Sequence, residues 1–366
     1  MKVWLDFCEP KSITMLRPLY NRLIKEHEVF ITARDFDATY DLLNDWGVPY
    51  IKVGEHGGAD LKGKLHSYID RLNALLEIVE EKQPDFLFCI TSPEAIRIAF
   101  GLGLPHIMFY DEPRSVGCSK LTLPMVDLVV VPRPIPFEWY EKYGVSEDRT
   151  LRFNGIDEVG WLNKHDFTPN SHYLEEFNLK KQNYIVFRTI ATQSYAHLSE
   201  RMEPHESLLT EIIPELEREI PNNKMDLQYV ILPRYEEQYI HMQEVFSKYI
   251  SSGKIILERS ISHLADIMYF SSMVVSGGGT MVRESALLGV PSIEFIGSET
   301  YPQEQFLIDN GFPLVHVKKT EKIIQKIRHF LKDDPRQNTW DKIENLDNPI
   351  EVALEKFRVF AKKYSK

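Results

Sequence analysis

The run Ser276-Gly277-Gly278-Gly279-Thr280, with Glu284 four residues on, sets three glycines and a hydroxyl before a helical pattern that Gly289 and Pro291 bring to a stop. Glycines let the backbone approach a ligand, and Thr280 is placed to cap the helix. The unpaired amides of Gly277, Gly278, Gly279 and Thr280, together with the positive end of the helix dipole, describe an anion site whose natural occupant is phosphate. Glu284 lies on the same helical face, and helical side chains lean toward the N-terminus, so its carboxylate reaches back beside the anion. A carboxylate repels phosphate but accepts hydrogen bonds from a sugar diol. Phosphate on the loop and ribose on Glu284 together spell a nucleoside diphosphate. The other reading of these residues is a tight strand-to-helix turn with Glu284 in solvent.

A second set of groups bears on that choice. Tyr184-Ile-Val-Phe ends in Arg188, Tyr229-Val-Ile-Leu in Pro233-Arg234, and Ile255-Ile-Leu-Glu in Arg259, each a short apolar run of strand type. In a parallel sheet all carboxyl ends share one edge, the edge on which open α/β domains bind ligands. Three arginines are therefore expected beside the glycine loop. One alone is readily solvated or paired, but three on one edge of an acidic chain favour an anion pocket.

Upstream, apolar runs and helical patterns alternate from Val3, predicting about seven parallel strands and a complete doubly wound domain. The loops at its strand ends carry Glu9, Lys11, Ser12, Thr91, Ser92, Asp111, Glu112 and Arg114. Asp111 or Glu112 is the candidate general base, against the plainer role of capping the following turn. Asp35 and Asp37 precede a helix and are read as caps rather than as a metal pair. The alternation restarts at Tyr184 after a polar stretch. The expected organisation is a first domain over residues 1–170, a second, nucleotide-binding one over 171–345, and a last helix over 346–366, too apolar for a free tail.

Composition narrows the function. The chain has 366 residues, 43% hydrophobic and 27% charged, enough for two full cores. Its net charge of −11 and the lack of any evident basic patch argue against a nucleic-acid partner. Cys8, Cys89 and Cys118 are too few and too scattered for a disulfide framework or a zinc cluster. No stretch is a transmembrane span, and the N-terminus enters a strand at once, so a cytoplasmic location is expected. A peripheral membrane contact stays open.

The segment Gly277 to Pro291, with Gly-Gly-Gly-Thr-Met, Glu284 and Leu-Leu-Gly-Val-Pro, resembles the donor-binding segment of GT-B-fold proteins. It is similar both to the non-hydrolysing UDP-N-acetylglucosamine 2-epimerases and to the N-acetylglucosaminyltransferase of the lipid-linked cell-wall precursor. Val3-Trp-Leu-Asp6, Ile31-Thr-Ala-Arg-Asp-Phe36, Gly155-Ile-Asp-Glu158, Val230-Ile-Leu-Pro-Arg234 and Gly278-Gly-Thr-Met281 extend the resemblance over nearly the whole chain, to an uncharacterised, largely archaeal family of glycosyltransferase-like proteins. The resemblance implies two Rossmann-like domains facing across a cleft, the first on the acceptor side, the second binding the nucleotide sugar and the last helix returning to the first, in a metal-independent enzyme, without a cofactor, that moves a sugar from a nucleotide-diphosphate donor to an unknown acceptor: a glycan, a lipid-linked molecule or a small one. Sugar-nucleotide 2-epimerisation is the alternative, and non-catalytic binding of a sugar nucleotide a further one. The first loop departs from both relatives. Epimerases of this fold carry Arg-Pro-Glu where this chain has Glu9-Pro10-Lys11, the transferase's glycine-rich first loop is missing, and Ser12 stands where the close family carries a histidine.

Overall fold

The structure is a computed structural model that describes residues 1–58, 60–190, 208–218, 226–295 and 300–364. The chain divides into two compact units, Met1–Trp161 with Leu346–Lys366, and Leu162–Asn345.

The first unit is built on seven parallel strands: β1 (Lys2–Phe7), β2 (Glu28–Asp35), β3 (Ile51–Glu55), β4 (Phe86–Ile90), β5 (His106–Phe109), β6 (Leu128–Pro132) and β7 (Thr150–Phe153). Their order is β3-β2-β1-β4-β5-β6-β7. β1 and β4 are buried along almost their whole length, as strands covered on both faces must be, which explains why they read as unbroken apolar runs. The one charge inside β1, Asp6, is neutralised within the core. Arg71 from the helix Leu61–Lys82 donates to its Oδ1 at 2.7 Å, Thr32 Oγ1 and Ser92 Oγ each donate to it at 2.5 Å, and Trp4 Nε1 donates to Thr32 Oγ1 at 2.7 Å. Burial acts to raise the Asp6 pKa, but Arg71 and these hydrogen bonds outweigh it and hold the carboxyl below its ordinary range.

The last helix, Pro349–Tyr364, lies on this unit, against the helix Pro10–Leu23 and strands β6 and β7. Its Phe357 meets Phe86, Phe88 and His27 with ring centroids 4.9 to 5.3 Å apart, and Arg22 Nε donates to Glu351 Oε1 at 2.7 Å.

The second unit carries six parallel strands: β8 (Tyr184–Arg188), β9 (Gln228–Leu232), β10 (Ile255–Leu257), β11 (Met273–Ser276), β12 (Ser292–Glu294) and β13 (Leu314–His316). The order is β10-β9-β8-β11-β12-β13. The direction of winding reverses between β8 and β11, and at such a reversal the connections leave to opposite faces and open a crevice beyond the strand ends. Among the described residues, no helix is long and apolar enough to cross a membrane.

Candidate functional site

The reversal between β8 and β11 is where the glycine loop stands. Ser276 lies opposite Arg188 in the ladder, and the Gly277 amide donates to the Arg188 carbonyl at 3.1 Å. Ser276 Oγ accepts from the Gly278 amide at 3.0 Å and donates to the Gly278 carbonyl at 3.0 Å, which folds the loop back on its own strand. Two of the amides expected to face a ligand are thus engaged within the protein. The helix runs Gly279–Leu287 with Gly278 as its N-cap and no side-chain cap, so Thr280 sits inside the first turn and does not cap it. Helix geometry leaves the Gly279 and Thr280 amides without intrahelical acceptors.

The three glycines differ in what surrounds them. A Cβ on Gly277 would overlap the Ile190 side chain and stand 3.0 Å from its Cα, and one on Gly279 would press on Glu304 and Arg283. Among the described residues, a Cβ on Gly278 would meet only Ser276 Oγ, at 3.9 Å. Among these residues, space at the loop therefore lies over Gly278. Glu284, one turn into the helix, is buried, with 9% of its surface exposed.

Of the three arginines, the structure brings one to the loop. Arg188 adjoins it, half-buried, with Nη1 donating to the Pro233 carbonyl at 3.3 Å. Arg234 stands at the end of β9, one strand farther; its side chain is exposed, while its amide donates to Thr189 Oγ1 at 2.9 Å and Gln238 Oε1 at 3.0 Å. Arg259 follows β10, three strand spacings from β11 or roughly 14 Å, and its exposed guanidinium pairs with Glu236 at 2.7 Å. The expected convergence of all three fails for Arg259, because β10 is the edge strand.

Sequence reading missed the buried charges behind the loop. Arg283 Nη1 donates to Glu304 Oε1 at 3.0 Å beside Gly279, and Glu294 Oε2 stands 3.1 Å from His316 Nδ1. Ser276, Glu294 and His316 occupy one register across β11, β12 and β13, so they share a face of the sheet. Strands of three residues at β12 and β13 carry too little pattern to be recognised, and the register went with them.

In the first unit, residues from three strand ends meet. Lys11, in the first turn of the helix after β1, has Nζ 2.7 Å from Asp111 Oδ2, beyond β5, and 2.8 Å from Asp157 Oδ2, beyond β7. Asp157 is buried, its Oδ1 has no hydrogen-bond partner among the described residues, and its neighbour Glu158 is buried too. Burial pushes the Asp157 carboxyl up, Lys11 opposes this, and Asp111 and Glu158 add to it, so its pKa is raised to about 7. Of the two expected bases, Asp111 belongs to this trio. Glu112 instead takes two hydrogen bonds from Arg114, at 2.7 and 2.6 Å. Glu9 is the N-cap residue of the first helix without a side-chain cap bond, and Ser12 is buried with no partner for its Oγ among the described residues. Asp35 and Asp37 do not cap the next helix, Thr39–Trp46, whose N-cap residue is Ala38. Among the described residues, no group of three His, Cys, Asp or Glu is placed to hold a metal ion.

Comparison with known proteins places this architecture. The UDP-GlcNAc 2-epimerase of Methanocaldococcus jannaschii, solved in complex with UDP-GlcNAc and UDP, superposes with a TM-score of 0.70 at 14% identity, over 98% of this chain and all of that one. The Neisseria meningitidis UDP-GlcNAc 2-epimerase bound to UDP-GlcNAc gives 0.65 at 13% identity, over 99% and 100%. The glycotransferase of kitacinnamycin gives 0.56 at 11% identity, over 95% and 94%. These likenesses show the fold, a two-domain α/β arrangement of GT-B type. In sequence, the uncharacterised protein MJ0665 of Methanocaldococcus jannaschii is 27% identical over 361 residues, 97% of either chain. The pattern of the protein-of-unknown-function family DUF354 matches residues 1–362, and the chain belongs to that family.

Proposed function

We propose that the protein is a sugar-nucleotide enzyme that binds a nucleotide-diphosphate sugar, a UDP-sugar in the first instance, at the carboxyl ends of β8 and β11 and transfers the sugar to an acceptor. The observation that carries the reading is the coincidence, at the point where the winding reverses, of a helix start, free space over Gly278, the neighbouring Arg188 and the buried Glu284. Structures of the same fold hold UDP and UDP-GlcNAc, which supports the ligand class.

In this reading the bond from the sugar's anomeric carbon to the diphosphate oxygen breaks, and the bonding pair leaves with the diphosphate. The helix-start amides and Arg188 meet the growing charge with donors already in place. The anomeric carbon forms its new bond to an acceptor oxygen, whose proton passes to a carboxylate. Asp111 is assigned as that acceptor, with Lys11 holding it and Asp157 beside it.

The Lys11–Asp111–Asp157 trio also favours a second reading, 2-epimerisation, which needs two proton-handling groups and no acceptor. Incubating the full chain with UDP-sugars alone separates the two. Sugar interconversion without acceptor establishes the epimerase. A co-purifying or titrated UDP-sugar that is bound and consumed only once an acceptor is added establishes the transferase. Absence of any UDP or UDP-sugar binding by calorimetry refutes both.

A further inference from the structure

A second concave feature lies two strands from β11 on the same sheet, along β13 and the helix Thr320–Asp333. This groove, of about 720 Å³, is lined by His316, Lys318, Lys319, Lys322, Lys326 and His329 among others, with no carboxylate among the described residues of its lining, although Glu294 and Asp333 pair with its two histidines. The chain as a whole carries a net charge of −11, so a lysine-lined groove runs against its overall field. It also corrects the expectation of a chain without a local basic patch. The four lysines fall close together between 318 and 326, and the fold sets them with His316 and His329 along one groove.

The placement breaks a local rule. Lys319 is the N-cap residue of the helix and makes no side-chain cap bond, Lys318 precedes it, and Lys322 stands in the first turn. Cations at a helix N-terminus oppose the dipole, and lysine is a poor N-cap. Among the described residues, Lys318, Lys319 and Lys322 have no carboxylate within ion-pair distance, and Glu321 is the acidic residue of the first turn that stands against them. Three cations against one carboxylate leave the conflict only partly compensated, and such a conflict marks a functional position.

An independent observation comes from His316. Its side chain is 8% exposed, its Nδ1 is held by Glu294, and its Nε2 is buried with no hydrogen-bond partner among the described residues. Buried ring nitrogens in folded proteins ordinarily find partners, so one lining this groove points to a ligand that supplies a hydrogen-bonding partner.

We propose that this groove binds a soluble, multiply charged phosphate of the polyphosphate class, at a site separate from the β8–β11 edge and independent of the function proposed for that edge. Lys322, Lys326 and His329 follow one another at helical spacings of four and three residues, which sets neighbours roughly 5–6 Å apart. The row exceeds the reach of one phosphate and suits a chain of them. None of the large exposed hydrophobic residues lines the groove, so a membrane would gain no apolar insertion there, and apart from the two imidazoles no ring is available for stacking nucleic-acid bases.

The test is calorimetric titration of the full chain with inorganic tripolyphosphate at low and at physiological salt. Saturable binding that weakens with salt is expected, and combined replacement of Lys318, Lys319 and Lys322 by alanine weakens it by roughly tenfold or more, since each removes a charge-assisted contact. Lys319→Ser supplies a good N-cap while removing a cation, so its melting temperature rises as its tripolyphosphate affinity falls; a structural role for Lys319 would lower the melting temperature instead. Four results overturn the proposal: no tripolyphosphate binding, unchanged affinity in the triple variant, displacement of tripolyphosphate by UDP, or tighter association with anionic phospholipid vesicles or a single-stranded oligonucleotide than with tripolyphosphate.

Discussion

Gly277 and Ile190 touch so closely that a methyl group on the glycine would overlap the Ile190 side chain and crowd its Cα, whereas the neighbouring Gly278 faces space. The glycine triplet therefore combines two demands. Gly277 is required by the packing of the β8 end against the loop, and Gly278, in the proposed reading, by the nucleotide that approaches the loop. Gly278→Ala is expected to change unfolding free energy by less than about 1 kcal/mol, because its φ of −156° is open to any residue, yet to weaken UDP binding. Gly277→Ala is expected to cost about 1–3 kcal/mol through overpacking. Denaturant unfolding and UDP titration of the two variants check this; equal affinity loss without a stability difference would contradict it.

The contrast shows what was legible in advance. Apolar runs such as Val3 to Phe7 and Tyr184 to Phe187 announce buried strands, and the position of the glycine loop follows from strand, loop and helix succeeding one another. The order β10-β9-β8-β11 decides which arginine adjoins the loop, and no local pattern encodes that order. Asp157 was hidden for the same reason: Lys11 lies 146 residues away in sequence and becomes its partner only through the fold. The segment Gly155-Ile-Asp-Glu158 carries no local sign of its charge partner.

Asp157 makes stability depend on pH in a direction opposite to most carboxylates. Its native pKa is raised from 3.8 to about 7, so between those values the folded state holds a proton that the unfolded state has released. Stability from this group is full below pH 4 and is lost as pH rises through 7. Lys11, Asp111, Glu158 and Tyr140 are the titratable groups around it. Asp157→Asn removes the titration, so the variant is expected to gain on the wild type as pH rises from 4 to 7. Unfolding midpoints of both proteins across that range measure the difference, and a constant difference would show that Asp157 does not titrate there.

The Asp6–Arg71 pair should behave in the opposite sense. Both side chains are fully buried, and loss of one leaves the other unpaired in the core. Asp6→Ala is expected to destabilise by about 3–5 kcal/mol. Since the Asp6 pKa is held below 3.8, its contribution is present above that value and disappears as pH falls past it. Acid titration of unfolding would therefore show a steeper loss in the wild type than in the variant below pH 4.

Thr91, at the end of β4, has a φ of 39°, a region where a β-branched residue is strained. The adjoining Ser92 is tied to Asp6 and caps the next helix by accepting from the Ala95 amide at 3.3 Å. Strain of this kind costs about 1–3 kcal/mol, and glycine gives back about 0.5–1 kcal/mol in chain entropy. Thr91→Gly is thus expected to stabilise by about 1 kcal/mol in equilibrium unfolding. A loss of stability would mean that the threonine side chain's own contacts outweigh the strain.

Glu284 offers the sharpest check on the nucleotide reading. Its burial means that alanine would remove packed atoms as well as charge, so the informative change is Glu284→Gln, which keeps the shape and replaces a charged acceptor with a neutral one. If the carboxylate accepts the ribose hydroxyls, the loss of charge assistance is worth about 1 kcal/mol, and UDP affinity falls roughly fivefold to tenfold. A 2′,3′-dideoxy nucleotide offers no hydroxyl to this position. It should bind the wild type more weakly than UDP does, and it should lose nothing further in the variant. The two ligands must therefore respond differently to the same substitution. Equal weakening of both, or a fall in melting temperature that tracks the fall in affinity, would place Glu284 in the support of the helix and remove the ribose from its reach.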